Sequence, residues 1–127
     1  MVEAGQNICR IRDIYRVIMF FEADFQQRYD MCLNEGMALC VLQNGKLSSK
    51  ELAESLTLAR SNTSKIIKSL EDKMLIKRIL GKTDKRQMYF MLTSKGKEKL
   101  ETMNSEEQTI APVLNDITHI LQTYRNI

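Results

Sequence analysis

Residues 48–78, SSKELAESLTLARSNTSKIIKSLEDKMLIKR, decide the fold. Ser48 is followed three residues later by Glu51, which is the spacing of a capping box, where each side chain bonds the backbone N–H of the other residue. This pattern predicts a short helix that ends near Leu56. Residues 57–60 then predict a tight turn, so a second helix is expected to follow at once.

The helix after the turn is predicted over about residues 61–74 and has two different faces. At about 100° of rotation per residue, its apolar and polar side chains separate onto opposite sides. The first side carries Thr63, Ile66, Ile67, Leu70 and Met74, and the second carries Ser61, Ser64, Lys65, Lys68 and Asp72. We expect the first side to pack, with Thr63 and Ile66 as packing residues. The second side stays free for recognition.

A predicted β-hairpin follows this helix. Residues 75–80 form its first strand, and residues 87–93 form the second, in which Met88, Phe90 and Leu92 alternate with polar or less apolar neighbours. The link between them reads GKTDKR. Because this link is polar and six residues long, we expect it to protrude as the tip of the hairpin.

The first segment of the chain predicts a long amphipathic helix. Its apolar residues recur at steps of three or four along the helix, at Ile8, Ile11, Tyr15, Ile18, Phe25 and Tyr29. Phe20 and Phe21 widen this surface beyond a single stripe. We therefore expect two sides to be covered, one by its own domain and one by a partner.

Further helices are predicted on both sides of this central region. Asn34 is expected to cap a helix that runs to about Gln43, and Asn44-Gly45 to end it through left-handed backbone geometry. After the hairpin, Thr93 or Ser94 is expected to cap another helix. Ser105 and Gln108 have the spacing of a second capping box ahead of the C-terminal segment. Pro112, within that segment, should start, end or kink a helix.

Composition and residue pattern disfavour several classes of protein. The 127 residues fit one domain, and 43% hydrophobic with 28% charged residues is typical of a globular chain. The longest apolar run, residues 17–21, is too short to span a bilayer, so we expect no membrane partner and a cytoplasmic location. The three cysteines contain no C-x-x-C pair, which argues against disulfides and a zinc ribbon. His119 has only Asp116 at metal-ligand spacing, and no catalytic grouping occurs, so no enzyme, metal or cofactor is expected.

Charge is segregated along the chain, although the net charge is only +3. Residues 60–99 contain twelve Lys or Arg against four Asp or Glu, a net charge of +8, and the rest of the chain carries −5. A basic stretch of this kind favours a polyanionic partner. With the polar-faced helix and the basic hairpin, it predicts a mainly α-helical, winged helix-turn-helix protein that binds double-stranded DNA.

The same residues resemble the DNA-binding core of the MarR family of bacterial regulators. The resemblance extends over residues 33–100 and is most specific at Asp84-x-Arg86, ahead of the ending LTSKG at residues 92–96. It implies that Arg86 enters the minor groove and that Asp84 orients Arg86 by a charge-assisted hydrogen bond. The other residues that it places at the DNA are Ser61, Asn62, Ser64, Lys65, Lys68, Arg78, Lys82 and Lys85.

The resemblance also implies a homodimer, in which residues 1–32 and 101–127 form dimerisation helices. Apolar residues in excess of one core support this interpretation, at Ile11, Ile18, Phe21, Ile117, Ile120 and Leu121. Two-fold symmetry predicts recognition helices about 34 Å apart and a pseudo-palindromic DNA site. We expect a repressor whose DNA affinity is modulated by a small ligand, with methionines that could line an interhelical cavity.

Two positions depart from the family pattern. Met74 stands where Gly is usual, so the helix is expected to end through another backbone solution. Ala59 stands where a capping Asp or Ser is common, which leaves Ser61 as the predicted cap. Two alternatives stay open: a winged helix that binds a protein and no promoter, and a redox-sensing regulator with Cys9 as its reactive thiol.

Overall fold

The computed structural model describes residues 7–107 together with residues 114, 115 and 119. In chain order, its elements are α1 (Asn7–Tyr29), α2 (Leu33–Leu42), α3 (Ser49–Leu56), α4 (Arg60–Asp72), β1 (Ile76–Leu80), β2 (Met88–Leu92) and α5 (Ser94–Glu106). The prediction of a mainly helical fold with one small hairpin is confirmed. Gln108, Pro112, Ile117, Ile120 and Leu121, on which several predictions rest, lie outside the described residues. None of the described helices combines the length and the apolar character needed to cross a membrane.

The hydrophobic core draws on all of these elements. Leu39 of α2, Leu52 of α3 and Leu70 of α4 are fully buried at its centre. Phe90 of β2 and Leu100 of α5 pack in the same cluster. Because burial contributes about 25 cal/mol for each Å² of apolar surface removed from water, this cluster holds α4 against α2 and α3.

Within the described residues, helix α1 packs on the core near its C-terminal end. Phe25 and Tyr29 are buried, with ring centroids 4.8 Å apart. Eight residues of its earlier turns are exposed, and we call them the apolar face of α1: Ile8, Ile11, Ile14, Tyr15, Val17, Ile18, Met19 and Phe20. The packed and the exposed apolar residues are therefore divided along the length of α1, so that two separately covered sides remain a prediction.

Helix α2 begins earlier than predicted. The prediction that Asn34 caps it is wrong, because Cys32 occupies the cap position and its backbone N–H donates to the Glu35 carboxylate at 3.1 Å. Glu35 is the third residue of the helix, from which a carboxylate reaches back to the cap. The helix ends at Leu42 with Gln43 as its C-cap, and Gly45 then takes a positive φ of +138°, which glycine adopts without strain.

The capping box at the start of α3 is confirmed. The Glu51 backbone N–H donates to Ser48 Oγ at 3.1 Å, and the Ser48 N–H donates to Glu51 Oε1 at 3.0 Å. Helix α4, in contrast, has Ala59 at its cap position and no side-chain cap. The prediction that Ser61 caps α4 is therefore wrong, since the helix has already begun at Arg60.

The end of α4 corrects a further prediction. Met74 adopts a φ of +62° itself, so the chain keeps the left-handed geometry and uses no other backbone solution. The Met74 N–H donates to the Glu71 carbonyl at 2.9 Å and the Leu75 N–H to the Leu70 carbonyl at 3.0 Å, which is a Schellman motif. Met74 is also 69% exposed, so its predicted place on the packed side is wrong.

The hairpin is shorter by a residue than predicted at most of its ends. Its antiparallel register pairs Ile76 with Leu92 and Leu80 with Met88. Leu47, ahead of α3, adds an isolated bridge to Phe90, with N–H to carbonyl distances of 3.1 and 2.8 Å in the two directions. The hairpin is thereby attached to the segment ahead of α3 at the middle of β2.

Candidate nucleic-acid interface

Helix α4 presents the predicted polar face to solvent. Ser61, Asn62, Ser64, Lys65 and Lys68 are all exposed. On the opposite side the structure buries Thr63, Ile66, Ile67 and Leu70, and Thr63 is only 1% exposed. The Thr63 hydroxyl is satisfied locally, because it donates to the Ala59 carbonyl at 3.0 Å. The predicted division into a packing side and a free side is thus confirmed for all these residues.

The tip of the hairpin forms a tight basic loop that is exposed from Lys82 to Gln87. The Gly81 N–H donates to the Gln87 carbonyl at 2.7 Å and the Gln87 N–H donates to the Asp84 carbonyl at 3.0 Å. A Cβ at Gly81 would lie 2.5 Å from the Asp84 carbonyl oxygen, so only glycine fits there. Lys82 and Lys85 are exposed on this loop. The loop therefore presents cationic side chains on a compact backbone.

Arg86 and Asp84 are in contact at the tip. Asp84 Oδ1 accepts the Arg86 backbone N–H at 3.0 Å and lies 3.5 Å from Arg86 Nε. The shorter bond fixes the backbone, whereas the longer one restrains the guanidinium weakly. The Arg86 side chain is 94% exposed, so its other donors remain open to an incoming acceptor.

Arg78 differs from the predicted lysines because its charge is already paired, by two bonds shorter than the 3.5 Å contact of Arg86 with Asp84. Its Nε and Nη2 donate to the two carboxylate oxygens of Glu71 at 2.7 and 3.0 Å, and its guanidinium lies 5.6 Å from the centre of the Phe90 ring. The hydrogen bonds and charge of Glu71 raise the pKa of Arg78. Among residues 7–107, by contrast, no acid lies within ion-pair distance of Lys65, Lys68, Lys82 or Lys85. The α4 and loop lysines are thus, like the guanidinium of Arg86, open to a partner.

Two basic residues that the sequence did not single out belong beside this surface. Arg60 is exposed as the first residue of α4. Lys46 precedes α3 and holds its ammonium 4.7 Å from the centre of the Tyr89 ring on β2. The position of Arg60 follows from an earlier helix start than predicted. No local pattern could place Lys46 beside a strand 43 residues later.

A cavity of about 410 Å³ lies between α1, α2 and α5, away from the polar face of α4. Phe21, Phe25, Met37 and Met103 contribute to its largely apolar wall. Gly36 also lines it, and a Cβ there would lie 2.7 Å from Phe25 Cζ. Its wall includes one charged residue, Glu107, and the size suits a small organic molecule.

The cysteines are free thiols, with Cys9 and Cys40 exposed and Cys32 half-buried. Burial is the largest effect on Cys32 and raises the pKa of its thiol, which makes it less reactive. Within the described part of the chain, no three His, Cys, Asp or Glu side chains are arranged to hold a metal ion.

A helical core, an exposed polar helix after a tight turn and a basic hairpin define a winged helix-turn-helix protein. The model of the MarR family matches residues 39–88. No curated protein matches the sequence. The match extends from α2 to the start of β2, and so lies within the winged helix-turn-helix region whose sequence resembles this family.

Solved structures share this fold. MepR of S. aureus, in a complex with DNA, is 25% identical, with a TM-score of 0.61 over 91% of this chain and 98% of that one. AbsC, a MarR family transcriptional regulator from Streptomyces coelicolor, is 16% identical, with a TM-score of 0.69 over 100% and 99%. BpsR of Bordetella bronchiseptica is 16% identical, with a TM-score of 0.75 over 100% of this chain and 99% of that one. The DNA binding of BpsR is regulated by 6-hydroxynicotinic acid.

Proposed function

We propose that this chain is a dimeric, sequence-specific repressor that binds double-stranded DNA. The observation that carries the proposal is the exposed cationic surface of α4 and the hairpin tip, which we call the cationic face: Lys65, Lys68, Lys82, Lys85 and Arg86. Neutralising phosphates with such side chains releases counterions from DNA, which supplies affinity for any duplex. MepR, with the same fold, has been solved in a complex with DNA. Such a repressor acts in the cytoplasm.

The two parts of the cationic face are assigned to different grooves. Helix α4 fits the major groove, where Ser61, Asn62 and Ser64 can bond base edges while Lys65 and Lys68 meet phosphates. The hairpin tip lies beside it, and Arg86 enters the minor groove, whose negative potential attracts a guanidinium. Arg78 contributes less, because Glu71 already neutralises it.

The dimer is proposed from the apolar face of α1. Eight apolar side chains exposed along one helix are a surface that a second copy can bury. In this arrangement residues 33–100 read DNA, and residues 1–32 with 101–127 hold the two copies together. A two-fold axis would place the two α4 helices about 34 Å apart, facing successive major grooves.

The cavity between α1, α2 and α5 is the proposed ligand site. Its apolar wall favours an aromatic or aliphatic body, and Glu107 favours a cationic or hydrogen-bond-donating group at one end. Glu107 also accepts bonds from Arg28 at 3.2 Å and from the Tyr29 hydroxyl at 3.1 Å. A ligand that bonds Glu107 would compete with these contacts and could shift α1 against α5. BpsR offers a precedent for regulation of DNA binding by a small molecule.

Selection of bound duplexes from a random pool tests the main proposal. We expect a pseudo-palindromic sequence with half-sites one helical turn apart. Affinity for it should fall with salt, with a log–log slope of about −0.9 for each phosphate contact. No enrichment of any duplex at low salt, together with recovery of a stoichiometric protein partner, would instead support a protein-interaction module.

The division of roles within α4 can be tested with two variants. Lys68→Ala should weaken binding to all duplexes alike and reduce the salt slope by about one contact. Asn62→Ala should change the preferred bases and leave the salt slope unchanged. Identical sequence profiles and slopes for both variants would contradict this assignment.

A further inference from the structure

A buried carboxylate lies behind the recognition helix. Glu35 of α2 is only 6% exposed. Its Oε1 accepts the Cys32 backbone N–H at 3.1 Å, and its Oε2 accepts the Ser69 hydroxyl at 2.9 Å and Lys73 Nζ at 3.0 Å. Ser69 belongs to the last turn of α4, and Lys73 is the residue directly after the end of this helix. The contact therefore joins the start of α2 to the end of the helix that carries the polar face.

Lys73 extends this network to the end of α1. Its ammonium also donates to the Asp30 carbonyl at 2.8 Å, and Asp30 forms the corner after α1 with a φ of +53°. Within residues 7–107, no other hydrogen bond or ion pair joins α4 to α1 or α2. The described packing between α4 and α2 is otherwise that of apolar side chains in the core. One polar network thus connects three helices at a single point.

The network can do what packing does poorly. Apolar contact is non-directional, so it holds two helices together but permits small slides and rotations. Hydrogen bonds lose strength over a few tenths of an ångström, so they define one register. A buried ion pair adds little net stability over apolar residues of the same volume. The role that accounts best for such a pair is to select one relative position of the elements that it joins.

The electrostatics of Glu35 agree with a permanent ion pair. Burial acts most strongly and would raise the pKa of Glu35. The bonds from Lys73, from the Cys32 N–H and from Ser69 together outweigh burial, so the pKa is lowered. Glu35 is therefore charged at neutral pH.

We propose that Glu35 and Lys73 are positioning residues for DNA binding, which fix the orientation of α4 relative to α1 without touching DNA. This inference rests on the proposed function. In a dimer assembled through α1, the α1–α4 geometry sets where each recognition helix meets its groove. A tilt of about 10° at the anchored end would move the far end of a helix of this length by about 3 Å. Such a shift exceeds the range over which a hydrogen bond to a base survives.

The test compares Glu35→Gln, Lys73→Met and the double variant with matched controls on the exposed surface of α5, Glu98→Gln and Lys97→Met. Affinity is measured for the selected duplex at a temperature where circular dichroism shows each variant fully folded. We expect each single variant to lose about ten-fold in affinity, and the double variant to lose no more than either, because both act through one contact. Lys73→Arg should restore the affinity, and the controls should match the wild type.

The salt dependence separates positioning from a direct contact. We expect the log–log slope of Lys73→Met to equal that of the wild type, since no phosphate contact is lost. A slope reduced by about 0.9 would mean that Lys73 touches a phosphate, which overturns the inference. Wild-type affinity in both folded single variants would overturn it as well.

Two further outcomes distinguish failure of this inference from failure of the proposed DNA-binding function. If Glu35→Gln does not fold, Lys73→Met decides alone, because it leaves Glu35 its bonds from Cys32 and Ser69. If the wild-type protein binds no duplex at all, the proposed function fails and this inference fails with it. If the wild-type protein binds the duplex and the folded variants bind it equally well, the inference fails and the proposed function stands.

Discussion

The apolar face of α1 and the cationic face are both exposed, yet their chemistry indicates opposite partners. Ile18 on α1 is 47% exposed and gains stability only when other apolar groups displace water from it. Lys65 and Lys68 stay well solvated alone and gain from a polyanion. Exposure by itself therefore says little about function. What each surface lacks, an apolar cover in one case and counter-charges in the other, indicates what binds there.

The largest effect is expected at the apolar face of α1. In Ile18→Asp, a dimer would bury an unpaired charge at a cost of about 3 to 5 kcal/mol, so self-association should weaken by at least about 100-fold. Tight binding to a palindromic duplex should be lost with it. Analytical ultracentrifugation measures the first effect and mobility shift the second. The conservative variant Ile18→Leu should behave as the wild type, and a dimeric Ile18→Asp would refute a second copy as the occupant of this face.

The cationic face should give a smaller but specific effect. Arg86→Ala removes the guanidinium from the hairpin tip and should cost about 1 to 3 kcal/mol of DNA-binding free energy, with self-association unchanged. Lys97→Ala removes an equal charge from α5 and serves as the control. If both variants lost the same small amount of affinity, the tip would act only through its general charge.

Tyr29 is the last residue of α1 and lies at its buried end, beyond the apolar face. Burial, with hydrogen bonds to Glu106 and Glu107, raises the pKa of Tyr29 from 10.0 to about 12. Its neutral form is favoured in the folded chain, so this contribution is complete below pH 10 and is lost as the pH rises through about 12. Tyr29→Phe should cost about 1 to 2 kcal/mol of unfolding free energy at neutral pH.

Urea unfolding at pH 9 and pH 11 measures this contribution. The wild type should lose more stability between the two values than Tyr29→Phe does. Equal losses in both proteins would show that the Tyr29 hydroxyl does not anchor α1.

The smallest expected effect concerns the link between α4 and the hairpin. A left-handed conformation costs a non-glycine residue about 1 to 2 kcal/mol, and glycine removes this cost. Glycine also has greater freedom in the unfolded chain, which offsets part of the gain in stability. Met74→Gly should therefore raise the unfolding free energy by about 0.5 to 1 kcal/mol and leave DNA affinity unchanged. Thermal unfolding measures it, and Met74→Ala, which keeps the strain, should show no gain.

Local patterns predicted much of this architecture. The two faces of α4 follow from helical periodicity, and the start of α3 from one capping box, because both depend on residues within a few positions of each other. The same reasoning failed at Cys32 and Ala59, where the backbone starts a helix without a preferred capping side chain. It also failed at Met74, where the pairing of two backbone N–H groups outweighs the preference for glycine.

Interactions between distant residues were beyond such reasoning. The sequence placed Arg78 near phosphates but could not show that Glu71 pairs with it. Nothing local connects Glu35 with Lys73, or Lys46 with Tyr89, because tertiary packing alone brings these residues together. The positions of the candidate DNA-binding residues on exposed surfaces were predictable, but the degree to which each charge is already neutralised was not.

Gly36 has a consequence for how this chain could change under selection. Where the cavity holds an effector, one added methyl group at this position would press on the Phe25 ring and narrow the chamber, while the surfaces of α4 and the hairpin stay as they are. If the chain is the proposed ligand-responsive repressor, a single nucleotide substitution would thereby yield a protein that still binds its DNA site and no longer responds to the ligand.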